Sequence, residues 1–289
     1  MREILKRVRQ IEIRSRRAVN DIMAGEYHSV FRGRGMEFDE VREYSPGDEI
    51  RDIDWNVTAR TGRAFIKRYV EEREQTVFFI VDVSASGAFG THQRMKSEIA
   101  AEICSVLAFS AIQNNDRVGL IRFSDTVEEL IPPKKGRKHV LRVVRQLLFA
   151  RSRGTGTDIA LAIDTLNKVL KRRSIVFLVS DFLASDLRKP LMRANRRHDL
   201  IAIELTDPRE ETLPPVGMLE VRDAETGDFM LVDTLSRSVR EHFEQASRLR
   251  RFGLMQMFRS LGIDHIPIRT NEPYLDSLVR FFRQRAKRY

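Results

Sequence analysis

The chain has 289 residues, enough for one large domain or two small ones with a sizeable core. Its hydrophobic fraction of 42% and charged fraction of 32% are typical of a soluble globular protein, and no apolar run approaches the roughly 18 residues that span a bilayer. The first twenty residues are too basic for a secretory signal, and a single cysteine, Cys104, excludes an intrachain disulfide. We therefore expect a cytoplasmic protein without a transmembrane segment, in which Cys104 is a small buried hydrophobe.

The positive charge of the chain is concentrated at its two ends. The net charge is +10, of which residues 1–20 carry +5 and residues 276–289 carry +4, so the body between them is nearly neutral. A nucleic-acid-binding domain more usually has a basic stripe on its body. We therefore disfavour a nucleic-acid partner and expect the basic ends to meet a protein partner or an anionic membrane surface peripherally.

The first predicted region covers residues 1–75. Residues 1–25 have the apolar spacing of a helix, with arginines on its other faces, and residues 26–75 combine glycines with dense mixed charge. In this second part, we expect a network of ion pairs to anchor Trp55; its members are Arg42, Asp48, Arg51, Asp52, Asp54 and Arg60.

From residue 76 onward, short β-branched runs alternate with longer helical patterns. The predicted strands are Thr76–Val83, Arg117–Phe123, Ser174–Ser180 and Leu200–Leu205. The predicted helices are near Arg94–Gln113, Lys138–Leu148, Asp158–Lys171 and near Asp186–Asn195. The strands are apolar on both faces, as in a parallel sheet covered by helices. The expected fold class is therefore α/β, with a doubly wound, mainly parallel sheet flanked by helices.

The rest of the chain is predicted to complete this domain and to end in a basic helix. The further elements are strands at Met218–Arg222 and Phe229–Val232, a long amphipathic helix at about Leu235–Ser260, and a strand around Ile263–Ile268. We assign residues 76–270 to the α/β domain and residues 271–289 to the basic C-terminal helix.

Oxygen-bearing side chains follow three predicted strand ends. Asp82, Ser84 and Ser86 come at the end of the first strand, where residues two apart face the same way and can converge. A hydroxyl from the loop before residue 158 and Asp181, after the strand that ends at Ser180, complete the set. Ligands of open parallel sheets bind at such carboxyl ends. Carboxylate and hydroxyl oxygens without sulfur or imidazole indicate a Mg²⁺ or Mn²⁺ site that leaves one coordination position open.

This pattern resembles the metal-ion-dependent adhesion site of von Willebrand factor A domains, Asp-x-Ser-x-Ser followed by a distant Thr and a distant Asp. The Thr is Thr155 or Thr157, and we prefer Thr157 because Gly-Thr-Asp-Ile looks like the usual helix entry. The resemblance implies that the two Ser and the Thr ligate the ion directly, that the Asp often act through water, and that a partner carboxylate completes the octahedron. Some A domains keep the motif without needing the ion. Phe182 stands where many A domains have glycine.

A second resemblance lies before the α/β domain, in residues 33–60. The matching segments are Gly33-Arg34-Gly35-Met36-Glu37-Phe38, Arg42-Glu43-Tyr44, Gly47-Asp48, Arg51-Asp52-Ile53-Asp54-Trp55 and Ala59-Arg60. They resemble the hallmark of the bacterial family called "domain of unknown function fifty-eight", whose members join this segment to an A-like domain. The chain resembles the subset without transmembrane helices. The resemblance implies a partnership with MoxR-type AAA+ ATPases, which remodel or mature other proteins, with the A-domain protein as adaptor.

The leading functional prediction is a non-enzymatic module that docks an acidic partner residue through a divalent cation. A metal-dependent hydrolase is the alternative from the enzyme class, but we expect no His or Glu beside the ion to act as general base. The third hypothesis is a basic protein that binds nucleic acid or a membrane surface. No Gly-Lys-Ser/Thr motif is present, so any ATPase is a partner. Without a metal, Ser84 and Ser86 would be ordinary capping or turn residues.

Overall fold

The structure is a computed structural model that describes residues 35–72, 74–88, 90, 94–149, 152, 154, 156–184, 186–222 and 229–288. These residues fall into two compact units, one before and one after residue 75. The predicted helix over residues 1–25 lies outside the described residues. Within the described part of the chain, no helix combines the length and the apolar character needed to cross a membrane.

The smaller unit is a β-hairpin with two short helical turns between its strands. Strand β1 (Gly35–Glu43) pairs antiparallel with β2 (Phe65–Glu72), and a 3₁₀ turn (Ile50–Asp52) and helix α1 (Trp55–Thr61) lie between them. Helix α1 begins at this point because the Asp54 carboxylate accepts hydrogen bonds from the first backbone N–H groups of the helix. Of the predicted ion-pair network, Arg42 and Asp48 do pair, at 2.6 Å. The predicted anchoring of Trp55 is wrong, since its side chain is 66% exposed.

The larger unit is built on a six-stranded sheet. Its strands are β3 (Thr76–Asp82), β4 (Arg117–Phe123), β5 (Val127–Lys134), β6 (Ile175–Ser180), β7 (Asp199–Thr206) and β10 (Asp264–Arg269). Their order in the sheet is β10-β7-β6-β3-β4-β5, and all neighbours are parallel except β4 and β5. This arrangement confirms the predicted fold class, an α/β fold with a doubly wound, mainly parallel sheet flanked by helices.

The helices that flank the sheet are α2 (Lys96–Gln113), α3 (Arg137–Phe149), α4 (Ile159–Val169), α5 (Arg188–Arg197), α7 (Arg237–Leu261) and α8 (Tyr274–Ala286). Strands β3, β6 and β7 are buried along nearly their whole length, as their apolar sequences predict. Cys104 is buried in α2, and burial raises the pKa of its thiol, which confirms the prediction of a small buried hydrophobe. Leu278 and Phe282 of α8 are fully buried, so the last helix is part of the core of this unit.

Two smaller elements follow β7. Helix α6 (Pro208–Glu211) is one turn long, and strands β8 (Met218–Arg222) and β9 (Phe229–Asp233) pair as an antiparallel hairpin. Both strands agree with the two short strand candidates in the sequence, and β9 is one residue longer than predicted.

The strand order determines where a ligand can bind. From β3 the chain moves towards the β5 edge through β4, and then returns to β6 on the other side of β3. The direction of the connections therefore reverses between β3 and β6, and the crevice outside the carboxyl ends of these two strands is the expected ligand position in a doubly wound sheet. Asp82 and Ser180 are the last residues of these two strands.

Candidate metal centre

Asp82 is the centre of the cluster at this switch point. Its Oδ1 accepts a hydrogen bond from the backbone N–H of Ser84 at 3.0 Å. Its Oδ2 accepts hydrogen bonds from the hydroxyl of Ser180 at 2.7 Å and from that of Thr157 at 3.4 Å. One carboxylate thus joins three chain segments that are far apart in the sequence.

The two serines of the Asp-x-Ser-x-Ser motif lie side by side. Ser84 Oγ is 3.0 Å from Ser86 Oγ, and a 3₁₀ turn (Ala85–Ala88) carries the chain away from the sheet at this point. The side chain of Ser84 is nearly inaccessible, since the residue is 3% exposed. The two hydroxyls therefore converge as expected, but the cause differs: the strand ends at Asp82, and the 3₁₀ turn that contains Ser86, rather than an extended segment, brings the hydroxyls together.

Thr157 is placed by the start of helix α4. The backbone N–H of Asp158 donates to the carbonyl of Ser124 at 2.8 Å, and its carboxylate caps the helix by accepting from the N–H of Leu161 at 2.9 Å. Thr157 immediately precedes this cap, which brings its hydroxyl to Asp82. Thr155, the other candidate from the sequence, lies outside the described residues.

Asp181 follows β6 and borders the same cavity as Asp82. Its Oδ1 accepts from the backbone N–H of Leu183 at 3.3 Å, and its Oδ2 accepts from the ammonium of Lys96 at 3.0 Å. The next residue, Phe182, has a φ of +54°, in the left-handed region that favours glycine. The backbone at this position therefore has a conformation that costs a phenylalanine more than it would cost a glycine.

Two charged residues of the cluster were missed by the sequence analysis. Lys96, the first residue of α2, contacts both Asp181 and Glu210, and Glu210 lies in helix α6. A signal for Glu210 exists in the sequence: Asp207 and Glu210 have the spacing of a capping box, so a helix was to be expected just beyond β7, at the same edge of the sheet. No comparable signal marks Lys96, because the helical pattern does not show which polar residue turns inward.

The charges of the cluster interact strongly because they are buried. Burial raises the pKa of Asp82, and the neighbouring carboxylate of Asp181 raises it further, while hydrogen bonds from Ser84 and Ser180 oppose this rise. Burial by itself lowers the pKa of Lys96, but the carboxylates of Asp181 and Glu210 outweigh burial, and the net pKa is raised. Lys96 therefore carries a full positive charge next to the candidate ligands.

The residues present fit a hard divalent cation. Asp82, Ser86, Lys96, Ser180 and Asp181 border a cavity of about 20 Å³, which is room for one water or one ion. In the described part of the chain, no group of three or more His, Cys, Asp or Glu side chains is arranged to hold a metal, so an ion here would depend on hydroxyl ligands. Oxygen donors of this kind suit Mg²⁺ or Mn²⁺. The buried ammonium of Lys96 already balances part of the negative charge beside this cavity.

Comparisons with solved structures found similar chains at low sequence identity. One is the hypothetical protein BatB from Bacteroides thetaiotaomicron, with 15% identity, a TM-score of 0.47, and coverage of 74% of this chain and 99% of that chain. Another is the SpRpn10 VWA domain, with 13% identity, a TM-score of 0.41, and coverage of 71% of this chain and 93% of that chain.

Comparisons of sequence found relatives along nearly the whole chain. The uncharacterized protein Rv1480 of Mycobacterium tuberculosis is 30% identical over 284 residues, covering 97% of this chain and 89% of the relative. The uncharacterized protein YeaD of Bacillus subtilis is 25% identical over 147 residues, covering 51% of this chain and 35% of the relative. The model of the family described as "Protein of unknown function DUF58" matches residues 40–252. The chain therefore belongs to the DUF58 family.

Proposed function

We propose that this chain is a protein-binding module that docks an acidic partner residue through a divalent cation. The observation that carries the proposal is an ion-sized cavity at the switch point, bordered by the oxygen-bearing residues Asp82 and Ser86 at the end of β3 and Ser180 and Asp181 at the end of β6. Thr157 and Ser84 do not border it themselves, but both are hydrogen-bonded to Asp82. The residues that would hold the ion are Asp82, Ser84, Ser86, Thr157 and Asp181.

The neutral hydroxyls explain why such a site would suit binding to a partner. A bound Mg²⁺ or Mn²⁺ would supply an electrophilic centre with a coordination position for an outside carboxylate. Hydroxyl ligands do not neutralise the ion, and only two carboxylates belong to the ligand set, so the ion would keep much of its charge for the partner. Asp82 would orient the ligands, because it already holds the hydroxyl of Thr157 and the backbone of Ser84.

A hydrolase at this site is less well supported than a binding module. The cavity has room for an ion or a water but not for an organic substrate. Glu210 does come near the site, contrary to the sequence expectation that no Glu would lie there, but it is already engaged. One of its oxygens contacts Lys96, and the other accepts from the backbone N–H of Asp207 at 3.0 Å. We therefore propose a non-enzymatic role.

The partner we propose is a MoxR-type AAA+ ATPase or its client protein, with the chain as a cytoplasmic adaptor in protein maturation or remodelling. Membership of the DUF58 family supports this choice, through the association described above for that family. The basic ends of the chain would add an electrostatic contribution to the contact with an acidic partner or an anionic membrane surface.

The test is a titration of the chain with the MoxR-type ATPase of the same organism, in Mg²⁺ and in EDTA. We expect Thr157→Ala to weaken binding about ten- to a hundredfold in Mg²⁺, since it removes one ligand to an ion that makes a charge-assisted contact. Thr157→Ser keeps the hydroxyl and is the matched control, which should bind as the wild type does. EDTA should reduce wild-type binding to the level of Thr157→Ala.

One outcome would contradict the proposal, and another would change its set of ligands. If EDTA leaves wild-type binding unchanged, the contact lies elsewhere, and the segment over residues 42–60, with the exposed side chains of Ile50 and Trp55, becomes the first place to search. If EDTA weakens the binding of the wild type to the ATPase but Thr157→Ala binds as tightly as the wild type, Thr157 is not a ligand of the ion. Thr155 then becomes the candidate ligand.

A further inference from the structure

The side chain of Lys96 is buried inside the candidate metal centre. It is 3% exposed, its Nζ donates to Asp181 Oδ2 at 3.0 Å, and it also contacts Oε1 of Glu210. Burying an unpaired ammonium is strongly unfavourable, and these two carboxylates pair with that of Lys96. Lys96 is therefore a structural part of this site.

The carboxyl groups around Lys96 explain why a cation is needed there. Asp82, Asp181 and Glu210 bring three carboxyl groups to one buried region, and Lys96 supplies the ammonium that contacts two of them. Without that charge, buried carboxylates would be left without a counter-ion, which is the most costly arrangement in a protein interior. A divalent cation bound beside Asp82 and Asp181 would meet the same need.

Lys96 and a metal ion would also compete for the same atoms. Both oxygens of Asp181 are engaged in contacts with the protein, one with the backbone of Leu183 and the other with Lys96. To hold an ion or its bound water, Asp181 must share or give up the contact with Lys96. In addition, an ammonium this close repels a doubly charged cation.

We propose that Lys96 is a tethered counter-cation that stabilises the centre in the absence of metal and lowers its affinity for Mg²⁺ or Mn²⁺. This inference rests on the proposed metal centre and adds to it a regulation of affinity. A site tuned in this way binds its ion weakly until a partner carboxylate adds negative charge, so that metal loading and docking reinforce one another.

The test uses three substitutions that each break a buried ion pair. Lys96→Gln removes the charge at the candidate centre but keeps hydrogen-bond donors, and Lys96→Met serves as a second variant. Arg285→Met is the matched control: the Arg285 side chain is 4% exposed and pairs with Asp199 and Asp264, at the amino ends of β7 and β10. Calorimetry with Mg²⁺ and with Mn²⁺ gives affinities, and thermal unfolding in EDTA and in excess Mg²⁺ gives stabilities.

We expect Lys96→Gln to bind the ion on the order of tenfold or more tightly than the wild type, because one repelling charge is gone. In EDTA its unfolding temperature should fall, and Mg²⁺ should raise it by more than it raises that of the wild type. Arg285→Met should also lose stability, but with the affinity and the Mg²⁺ response of the wild type. If the Lys96 variants fold only when Mg²⁺ is present, that rescue also supports the proposal; failure of Mg²⁺ to rescue them overturns it.

The remaining outcomes separate this inference from the proposed function. If the wild type and Lys96→Gln bind the ion equally, or the variant binds more weakly, Lys96 does not lower the affinity and the inference is wrong, while the metal centre stands. If only the variant binds, the inference stands, and metal-dependent docking by the native chain fails. If neither protein binds Mg²⁺ or Mn²⁺, both fail.

Discussion

Phe182 illustrates how a single residue holds the candidate site in place. Its backbone adopts a left-handed conformation that disfavours a bulky side chain, with φ at +54°. In this conformation, the N–H of Phe182 donates a hydrogen bond to Ser180 Oγ at 3.0 Å, and the hydroxyl of Ser180 donates one to Asp82. The ring itself is buried and packs edge-on against Phe258, with centroids 5.2 Å apart. Packing thus offsets the backbone cost that glycine would avoid.

The balance between packing and backbone strain at Phe182 can be measured. Phe182→Gly should lower the free energy of unfolding by about 2–4 kcal/mol, since the loss of a buried ring outweighs about 1 kcal/mol of relieved backbone strain. Asn115→Gly is the control, because Asn115 is exposed and has a φ of +62°. It should be neutral or stabilise slightly. Urea unfolding gives both values, and a stabilising Phe182→Gly would show that the strain dominates.

The burial of His198 leads to a prediction of how the stability of the protein depends on pH. The residue is 1% exposed, and neither ring nitrogen has a hydrogen-bond partner among the described residues. Burial, with the nearby charges of Arg197 and Arg173, lowers its pKa from 6.5 to about 4. The unfolded state therefore binds the proton more readily than the folded state. The contribution of the buried neutral ring to the free energy of unfolding is thus fully present above pH 6.5 and is lost as the pH falls towards 4.

The measurement for His198 is the unfolding free energy of the wild type and of His198→Leu between pH 7 and pH 4. The wild type should lose up to about 1.4 kcal/mol per pH unit more than the variant within that window. Parallel pH profiles for the two proteins would mean that His198 is not buried in its neutral form.

At the scale of elements, replacing each of two glycines by alanine is expected to change the stability of the protein in opposite directions. A Cβ on Gly119 of β4 would lie 2.4 Å from the ring of Phe78 on the neighbouring strand, whereas a Cβ on Gly253 of α7 would have no described atom within 4 Å. Gly119→Ala should therefore destabilise the protein by about 1–3 kcal/mol through overpacking. Gly253→Ala should stabilise it by about 0.5–1 kcal/mol through helix propensity. Equal effects of the two substitutions on urea unfolding would contradict the close packing of β3 and β4.

The elements also show what sequence can and cannot predict. The strands of the parallel sheet were predictable because burial on both faces makes them apolar throughout. Strand β5 was missed, because Pro132 and Pro133 interrupt its pattern; they are tolerated at the edge of the sheet, where one side of the strand needs no ladder partner. The β1–β2 hairpin was missed because its residues are rich in charge and lack an apolar run.

The candidate site was predictable to the extent that it follows strand ends. Asp82, Ser84 and Ser86 are close in sequence, and the topology of the sheet brings Asp181 beside them. The partners of Lys96 were not predictable, since they are 85 and 114 residues further along the chain and depend on how α2 rotates against the sheet. A periodic pattern shows that a helix has a buried face but not which polar side chain that face carries inward.

For the whole molecule, one feature determines where a ligand can bind: the connections of the sheet reverse between β3 and β6, and oxygen-bearing side chains lie at that point. Binding of a divalent cation at this centre is the claim that the docking proposal and the role of Lys96 share, and docking further requires that the native chain binds the ion. It can be tested without knowing the partner, because the side chains that would hold the ion before docking all belong to this chain.

The most direct measurement is calorimetry of Mg²⁺ and Mn²⁺ binding to the wild type and to Asp82→Asn. We expect the wild type to bind one ion per chain and Asp82→Asn to bind it at least tenfold more weakly, because the substitution removes the carboxylate that joins the three segments. Asp164→Asn, in the exposed pair with Arg193, should bind as the wild type does. Equal affinity in the wild type and Asp82→Asn, or no ion bound by the wild type, would contradict the account.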